Sequence, residues 1–413
     1  MSQEDAAVVP LLTPRDGIPS VVVDSVALAA AIKELSVGGK YVAIDAERAS
    51  GYRYSQRAYL IQIRREQGPI ILIDPIECPD LSGVNAVLSD CEWILHASTQ
   101  DLACLREVGI NPKQMFDTEL GARLAGCERV GLGPLIESVL RFSLAKEHSA
   151  VDWSTRPLPD PWLGYAALDV ELLIELRHEV AKLLERQGKL LWAYEEFEAI
   201  LNAAPPKPRT EPWRRTSDIH QVKKQRNQAA VRELWYARDE IARSTDIAPG
   251  RILRDAAIVE AALKLPTTRD ELLAIPAFTT RGAYQNASIW FEAIERARCL
   301  PDEELPEIAP KVDALPPPRI WPSRSPIAFA RLEAARSLIA EIATANNLPV
   351  ENLLTPETVR RLCWEPPVDS VTTLRPDLVA HFLRERRARE WQIALTSEPL
   401  AYALLAKGEL RNT

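Results

Sequence analysis

Four acidic residues have the types and positions expected of ligands for a pair of divalent cations: Asp45, Glu47, Asp101 and Asp169. The first two end the apolar segment Tyr41-Val-Ala-Ile-Asp-Ala-Glu47, and because alternate residues of a strand share a face, both carboxylates should point the same way. Tyr165 lies four residues before Asp169, which places both on one face of a helix. Carboxylate oxygens suit Mg²⁺ or Mn²⁺, and paired ions suit in-line attack on a phosphodiester. This combination indicates a nuclease.

Each of these residues, taken singly, also has a purely structural interpretation. An Asp-x-Glu pair at a strand end can cap or be solvated, and Asp101 in a first helical turn would be stabilised by the helix dipole. Tyr165 and Asp169 could be a core tyrosine and a solvated carboxylate on an amphipathic helix. Their co-occurrence within one α/β segment favours metal binding over these alternatives.

Length and composition indicate an ordinary soluble globular protein of two or three domains. The chain has 413 residues, of which 46% are hydrophobic and 26% are charged. No apolar run approaches membrane-spanning length, and the N-terminus lacks a basic region followed by an apolar stretch. The six cysteines form no CxxC pair and fit buried thiols in a reducing compartment. We therefore expect a cytoplasmic protein with no membrane partner.

The charge pattern bears on nucleic-acid binding in two opposite ways. A net charge of −8 argues mildly against it, because phosphate neutralisation supplies most of the affinity. Basic residues nevertheless concentrate after residue 206, and those predicted to contact nucleic acid are Arg214, Arg215, Lys223, Lys224 and Arg226. His96, close to Asp101, is a further candidate contact. The alternatives are solvated helix faces for the basic residues and a packed strand-end histidine for His96.

Hydrophobic periodicity divides the chain into an α/β part and an all-α part. Strands are predicted at 40–44, 58–64, 70–73, 93–96 and 115–117, and helices at 118–125 and 132–140. Another helix should begin with Thr99 as its N-cap, and a single long helix should run from Pro161 past Val180. Strands mixed with helices predict a three-layer α/β domain.

The all-α part contains an internal repeat. Residues 240–253 align without gaps on residues 341–354, with Glu-Ile-Ala identical and the apolar pairs in register, and Ile258 and Val359 extend the match. Proline-rich segments precede each copy and are interpreted as linkers. The sequence therefore predicts two copies of a small helical unit.

Several segments resemble the exonuclease motifs of ribonuclease D. Residues 41–47, 59–63 and 96–102 look like its first two motifs, and Asp152-Trp-Ser-Thr-Arg-Pro-Leu158 followed by Tyr165-Ala-Ala-Leu-Asp-Val170 looks like its third. That family is the branch of the DEDD superfamily of 3′→5′ exonucleases with a tyrosine in the last motif. Downstream, the two helical units are similar to HRDC modules (helicase and RNase D C-terminal), with residues 232–298 the better match.

The resemblance implies a fold, a cofactor and an activity. The fold would be an α/β exonuclease domain with a ribonuclease H-like mixed sheet flanked by helices, followed by two all-α HRDC-like domains. The four carboxylates would hold two Mg²⁺ or Mn²⁺ ions, and Tyr165 would position or deprotonate the attacking water. The activity would be metal-dependent 3′→5′ exoribonuclease action that releases nucleoside 5′-monophosphates from RNA 3′ ends, with tRNA precursors as the family-implied substrates. The alternatives are a DNA exonuclease of the same superfamily and a non-catalytic nucleic-acid-binding protein that retains the fold.

The expected domain boundaries follow from these patterns. They are a flexible N-terminal segment (1–19), the exonuclease domain (20–203), a linker (204–221), HRDC domain 1 (222–300), a proline-rich linker (301–326) and HRDC-like domain 2 (327–410).

Three residues near the motifs carry separate expectations. Arg48 departs from the family pattern, and strand alternation predicts that it points away from Glu47 without affecting the metal site. Trp153 and Arg156 are expected to brace the loop before the third motif, and contact with RNA is the alternative.

Overall fold

The exonuclease domain is built on a six-stranded mixed sheet. The structure, a computed structural model, describes residues 7–145, 150–205, 207–307, 315–368 and 374–408. The sheet order is β2-β5-β4-β3-β6-β7, and β1 and β8 form a separate parallel pair. The strands are β1 (Val9–Leu11), β2 (Val21–Val22), β3 (Tyr41–Arg48), β4 (Ala58–Arg65), β5 (Ile70–Ile73), β6 (Glu92–Leu95), β7 (Gln114–Asp117) and β8 (Phe142–Leu144).

β3 lies inside the sheet, antiparallel to β4 on one side and parallel to β6 on the other. Helices α1 to α8 belong to this domain, and both faces of the central strands are buried, which explains their nearly continuous apolar sequences. The predicted mixed sheet flanked by helices is confirmed. The helices are α1 (Ser25–Leu35), α2 (Ser82–Val87), α3 (Leu102–Glu107), α4 (Thr118–Leu124), α5 (Leu132–Leu140), α6 (Asp160–Glu171), α7 (Leu173–Arg186) and α8 (Leu190–Leu201).

Two predicted helices differ from the structure. The long helix expected from Pro161 is broken at Leu172, whose φ of −117° and ψ of 9° are not helical. The break lets α6 pack against β3, β4 and β5 while α7 packs against β3 and β6. Thr99 is not an N-cap, because it lies in a single 3₁₀ turn, Ser98–Gln100, and α3 begins only at Leu102.

The predicted flexible N-terminal segment also differs from the structure. Val9–Leu11 form β1, which pairs in register with Phe142–Leu144. Residues 1–6 lie outside the described part of the chain, so the prediction for them stays a prediction.

The remaining helices form two all-α domains whose repeat is confirmed. α9, α10 and α11 recur as α16, α17 and α18 at the offset of the sequence alignment, and Ile258 and Val359 are both buried. No helix in the described ranges is both long and apolar enough to cross a membrane. The bounds are α9 (Gln225–Thr245), α10 (Pro249–Ile252), α11 (Asp255–Lys264), α12 (Arg269–Leu273), α13 (Arg281–Gln285), α14 (Ala287–Cys299), α15 (Trp321–Arg324), α16 (Pro326–Ala345), α17 (Val350–Leu353), α18 (Pro356–Trp364), α19 (Pro376–Glu385) and α20 (Glu390–Gly408).

Parts of both predicted linkers belong to the helical domains. Trp213, in the 3₁₀ turn Pro212–Arg215, is fully buried in the core of HRDC domain 1. Trp321 in α15 is fully buried, and its ring lies 4.7 Å from that of Trp364 in HRDC-like domain 2. A fully buried tryptophan anchors its segment, so both linkers are shorter than their composition suggests.

Each helical domain contacts the exonuclease domain through the same position of the repeat. Asp246 of HRDC domain 1 accepts hydrogen bonds from the Ser55 backbone N–H at 2.8 Å and from the Tyr59 hydroxyl at 3.3 Å. Its counterpart in HRDC-like domain 2 is Asn347, whose side-chain Nδ2 donates to the Ala125 carbonyl at 3.2 Å. The backbone carbonyl of Asn347 accepts from Lys189 Nζ at 3.2 Å. Both residues follow the first helix of the repeat with positive φ, which turns their side chains and carbonyls outward from the helix end.

Replacement of Trp391 by alanine should loosen HRDC-like domain 2 from the exonuclease domain. Its ring stacks on Trp192 at 4.9 Å and its Nε1 donates to Glu196 at 3.1 Å. Loss of this buried ring should cost about 3 kcal/mol and lower Tm by about 5–10 °C in a thermal melt. The control is Tyr402→Ala on the same helix, where the residue is 59% exposed. Equal melting temperatures for the two variants would contradict this role for Trp391.

Candidate active site

The carboxylates of β3 and α6 converge at one end of the sheet. Asp45, Glu47 and Asp169 each place an oxygen so that the three atoms lie within 4.8 Å of one another. Asp45 and Glu47 share a face of β3, as their spacing predicted, and the sheet neighbours on both sides of β3 hold that strand in place. Residues more than 120 positions apart in sequence therefore form one acidic cluster.

Asp101 joins this cluster from the turn before α3. Its carboxyl shares a hydrogen bond with that of Asp45. The turn is held by Asp117, whose carboxylate accepts from the backbone N–H groups of Ala97 at 3.2 Å and Ser98 at 2.7 Å. The same carboxylate caps α4. The sequence analysis missed this role, although an aspartate directly before Thr118-Glu-Leu carries an N-cap signal.

Tyr165 and Asp169 lie one turn apart on α6 and are hydrogen-bonded to each other. Arg64 on β4 fixes this part of the fold, since it donates to both carboxylate oxygens of Glu175 at 2.8 and 2.9 Å and to the backbone carbonyl of Glu171. A bidentate arginine pair is directional, so it sets the position of the helices relative to the sheet.

The loop before α6 is braced as predicted. Arg156 donates to Asp74 at 2.5 and 3.0 Å and to the backbone carbonyl of Tyr59 at 2.8 Å. Trp153 is fully buried, and its ring lies 6.5 Å from that of Tyr165. In the third motif, Trp153 thus packs near Tyr165, and Arg156 anchors the loop to the sheet.

Burial raises the pKa of all four carboxyls, and repulsion by neighbouring carboxylates raises it further for Glu47, Asp101 and Asp169. Burial is the largest cause for each of them, and for Glu47 the charges of Asp45 and Asp169 add to it. Burial and the charge of Asp45 raise the pKa of Asp101 to about 8. Burial and the charge of Asp169 also raise the pKa of the Tyr165 hydroxyl. Tyr165 therefore stays neutral at working pH and is suited to orient a water rather than to deprotonate it.

The predicted direction of the Arg48 side chain was wrong, whereas its expected lack of effect on metal binding stays a prediction. The register between β3 and β4 shifts between Glu47, which pairs with Leu60, and Arg48, which pairs with Ala58. At this irregularity the side chain of Arg48 faces the cluster, and its Nη2 lies 3.6 Å from Asp101 Oδ1. The extra residue is Tyr59 of β4, so the regular pairing on which strand alternation relies ends beside Arg48.

The predicted nucleic-acid contacts are distributed differently. His96 lines the cleft, and its Nδ1 lies 2.9 Å from the Thr118 hydroxyl. Arg214 pairs with Glu211 at 2.7 Å, and Arg226 pairs with Asp302 at 2.5 Å. The other three residues are exposed, so they offer free positive charge on the surface: Arg215, Lys223 and Lys224. Contact with nucleic acid stays a prediction for all six.

Asp45, Glu47 and Asp101 line a cleft of about 390 Å³ that is open to solvent. Besides the residues above, Ser50, Gln100 and Val151 line it, and sequence reasoning identified none of these. They lie in loops after β3, β6 and β8, and no local pattern distinguishes them from other loop residues. Only the folded chain brings these loops together.

The residues present fit divalent cations. Three convergent carboxylates supply hard oxygen ligands, and a cation would relieve the repulsion that helps raise the pKa values of Glu47 and Asp169. Gln62 of β4 pairs directly with Asp45 of β3. Its side-chain amide is fully buried and has no hydrogen-bond partner in the described residues. Asp45, Glu47, Asp169 and Asp101 would hold the ions. A bound cation supplies a water of lowered pKa and neutralises charge on a phosphate.

Comparison with known proteins places the chain. A "3'-5' exonuclease" family model matches residues 19–185, an "HRDC domain" model matches 227–294, and a "3' to 5' exonuclease C-terminal domain" model matches 314–404. The chain is similar to Ribonuclease D of Granulibacter bethesdensis, with 30% identity over 82% of this chain and 85% of that protein. The chain belongs to the ribonuclease D family. It is a 3′→5′ exoribonuclease, a hydrolase that acts on RNA and uses divalent metal.

One further curated relative and two solved structures are similar to this chain. Ribonuclease D of Pseudomonas paraeruginosa is 31% identical over 67% of this chain and 74% of that protein. A solved structure of a protein from Bifidobacterium adolescentis has 38% identity and a TM-score of 0.87, covering 96% of this chain and 99% of that chain. Escherichia coli RNase D shares the fold, with 23% identity, a TM-score of 0.65 and coverage of 89% and 97%.

The stability of the metal-free enzyme should fall as pH rises. Because the pKa of Asp101 is about 8 in the folded chain and about 4 when unfolded, the folded state binds more protons between those values. In buffer that contains a chelator, Tm should therefore fall by about 3 °C or more between pH 5.5 and 8. Mg²⁺ in excess over the chelator should restore Tm at pH 8.

Asp101→Asn should flatten this pH dependence because it removes one of the titrating groups. The control is Asp90→Asn, at a side chain that is 94% exposed, which should keep the wild-type slope. The same chelator melts measure both variants, and an unchanged slope in Asp101→Asn would rule out this linkage.

Tyr165→Phe should slow RNA hydrolysis about 10- to 100-fold, a smaller loss than the 10²- to 10⁴-fold typical of a removed general base. The hydroxyl orients through its hydrogen bond and does not ionise, so the pH–rate profile should keep its shape in the variant. Single-turnover assays between pH 6 and 9 measure both quantities. A basic limb that disappears in Tyr165→Phe would instead assign proton abstraction to the tyrosine.

Proposed function

We propose that this enzyme trims the 3′ ends of structured RNAs such as tRNA precursors, releasing nucleoside 5′-monophosphates with two Mg²⁺ or Mn²⁺ ions. The observation that carries the proposal is the convergence of Asp45, Glu47 and Asp169 within 4.8 Å at an open cleft, with Asp101 hydrogen-bonded to Asp45. Two ions held there suit activation of a water and stabilisation of the leaving 3′-oxygen.

Structured RNA as the substrate is supported by a relative and by the helical domains. Escherichia coli RNase D is described as an exoribonuclease involved in structured RNA processing. In the present chain, HRDC domain 1 contacts Ser55 and Tyr59, on the segment that follows β3. Its exposed Lys223 and Lys224, together with Arg215, would bind phosphates of the RNA body while a 3′ end enters the cleft.

A cytoplasmic location is also proposed. All six cysteines are free thiols, and four of them are buried: Cys78, Cys91, Cys104 and Cys363. Reduced thiols are typical of a reducing compartment.

The proposed function is tested with a tRNA precursor that carries a 3′ extension. Wild-type protein with Mg²⁺ or Mn²⁺ should shorten the extension one nucleotide at a time and release 5′-monophosphates, measured by gel and by mass spectrometry. Asp45→Ala and Asp169→Asn should lower the rate at least about 10³-fold, because each removes a cation ligand.

Matched single-stranded RNA and DNA of the same sequence complete the test, since recognition of a 2′-hydroxyl distinguishes the two. Faster degradation of DNA would favour a DNA exonuclease. Degradation of the precursor at equal rates by wild type and Asp169→Asn would contradict the catalytic role assigned to Asp169. Digestion that continues through the folded tRNA body would contradict 3′-end trimming.

A further inference from the structure

Arg48 divides the four carboxylates of the cleft into two sets. Asp45, Glu47 and Asp169 converge on a common point. Asp101 instead faces the guanidinium of Arg48, with Nη2 3.6 Å from its Oδ1. The side chain of Asp101 is 7% exposed and that of Arg48 is 25% exposed, so the pair is partly shielded from water. Its electrostatic effect is therefore stronger than that of a surface ion pair.

The other basic group in the cleft does not share this role. Among the described residues that line it, His96 is the other basic side chain, and burial lowers its pKa. His96 is thus neutral at working pH, whereas an arginine stays protonated. Arg48 brings a permanent positive charge to the carboxylate that a second cation would need.

We propose that Arg48 is a positioning residue that engages Asp101 in the RNA-free enzyme and weakens the binding of the second cation. The inference rests on the proposed use of two ions and concerns the order in which they bind. The first ion enters the set of three carboxylates, while the second must share Asp101 with Arg48. Charges of +2 and +1 about 5 Å apart weaken binding about tenfold even at the dielectric constant of water.

An RNA 3′ end would change this balance. Its phosphate oxygens supply ligands for a cation and an acceptor for the guanidinium, so Arg48 would turn from Asp101 to the phosphate as the second ion binds. The second site would then fill mainly when substrate is present.

Manganese binding to the full chain without RNA tests the role of Arg48. Electron paramagnetic resonance of free Mn²⁺ counts the ions bound by wild type, Arg48→Gln and Arg48→Lys. Wild type should show one tighter and one weaker site. Arg48→Gln should tighten the weaker site about tenfold and leave the tighter one within about threefold. Arg48→Lys keeps the charge and should behave like wild type.

Two further variants control for folding and for general charge effects. Arg53→Gln removes an arginine charge from the loop that follows β3, where Nε of Arg53 donates to Ser154 Oγ at 2.8 Å, and should leave both Mn²⁺ constants unchanged. In an Asp101→Asn background the weaker site should be lost, and adding Arg48→Gln should then have no effect. Thermal melts verify that each variant is folded.

The outcomes separate the role of Arg48 from the proposed function. Equal Mn²⁺ constants for wild type and Arg48→Gln, with metal-dependent RNA degradation intact, would overturn the role of Arg48 alone. If Arg48→Lys tightened Mn²⁺ binding at the weaker site as much as Arg48→Gln does, the role of Arg48 would also be overturned. The positive charge would then not be the cause of the weaker binding. Failure of wild type to bind any Mn²⁺ would overturn the two-ion proposal itself.

Discussion

Mutual repulsion of four carboxylates in one partly buried cleft is the constraint that the exonuclease domain has to meet. Asp45 and Glu47 lie on a strand paired on both sides, and Asp169 lies on a helix packed against that strand. Burial raises all four pKa values, and like charge adds to the rise for Glu47, Asp101 and Asp169, so the metal-free cluster costs stability. Sheet pairing and the arginine anchors Arg64 and Arg156 hold the groups together against that cost.

The helical domains use one structural solution twice. Asp246 and Asn347 occupy equivalent positions after the first helix of each repeat, and both contact the exonuclease domain. The aspartate accepts from Ser55 and Tyr59, whereas the asparagine donates to a carbonyl near the end of α4. The repeat therefore preserves the backbone turn and changes the side chain to suit a different partner surface.

Arg48 illustrates how a single irregularity changes the chemistry of a site. Regular strand alternation would turn its side chain to the other face of the sheet, but the pairing of β3 with β4 shifts between Glu47 and Arg48. With the shift, a permanent cation lies next to Asp101. The same strand thus supplies two candidate metal ligands, Asp45 and Glu47, and a positive charge beside them.

The sequence alone determined the class of the domains, the repeat, and the four carboxylates and Tyr165 as the candidate site residues. These follow from local periodicity, from two- and four-residue spacings and from motif resemblance, all of which are written in short segments. The tertiary structure decided the break at Leu172, the burial of Trp213 and the placement of Arg48 beside Asp101. Each of these depends on which residues from a distant part of the chain pack against it. The spacing of residues within a short segment does not reveal such packing.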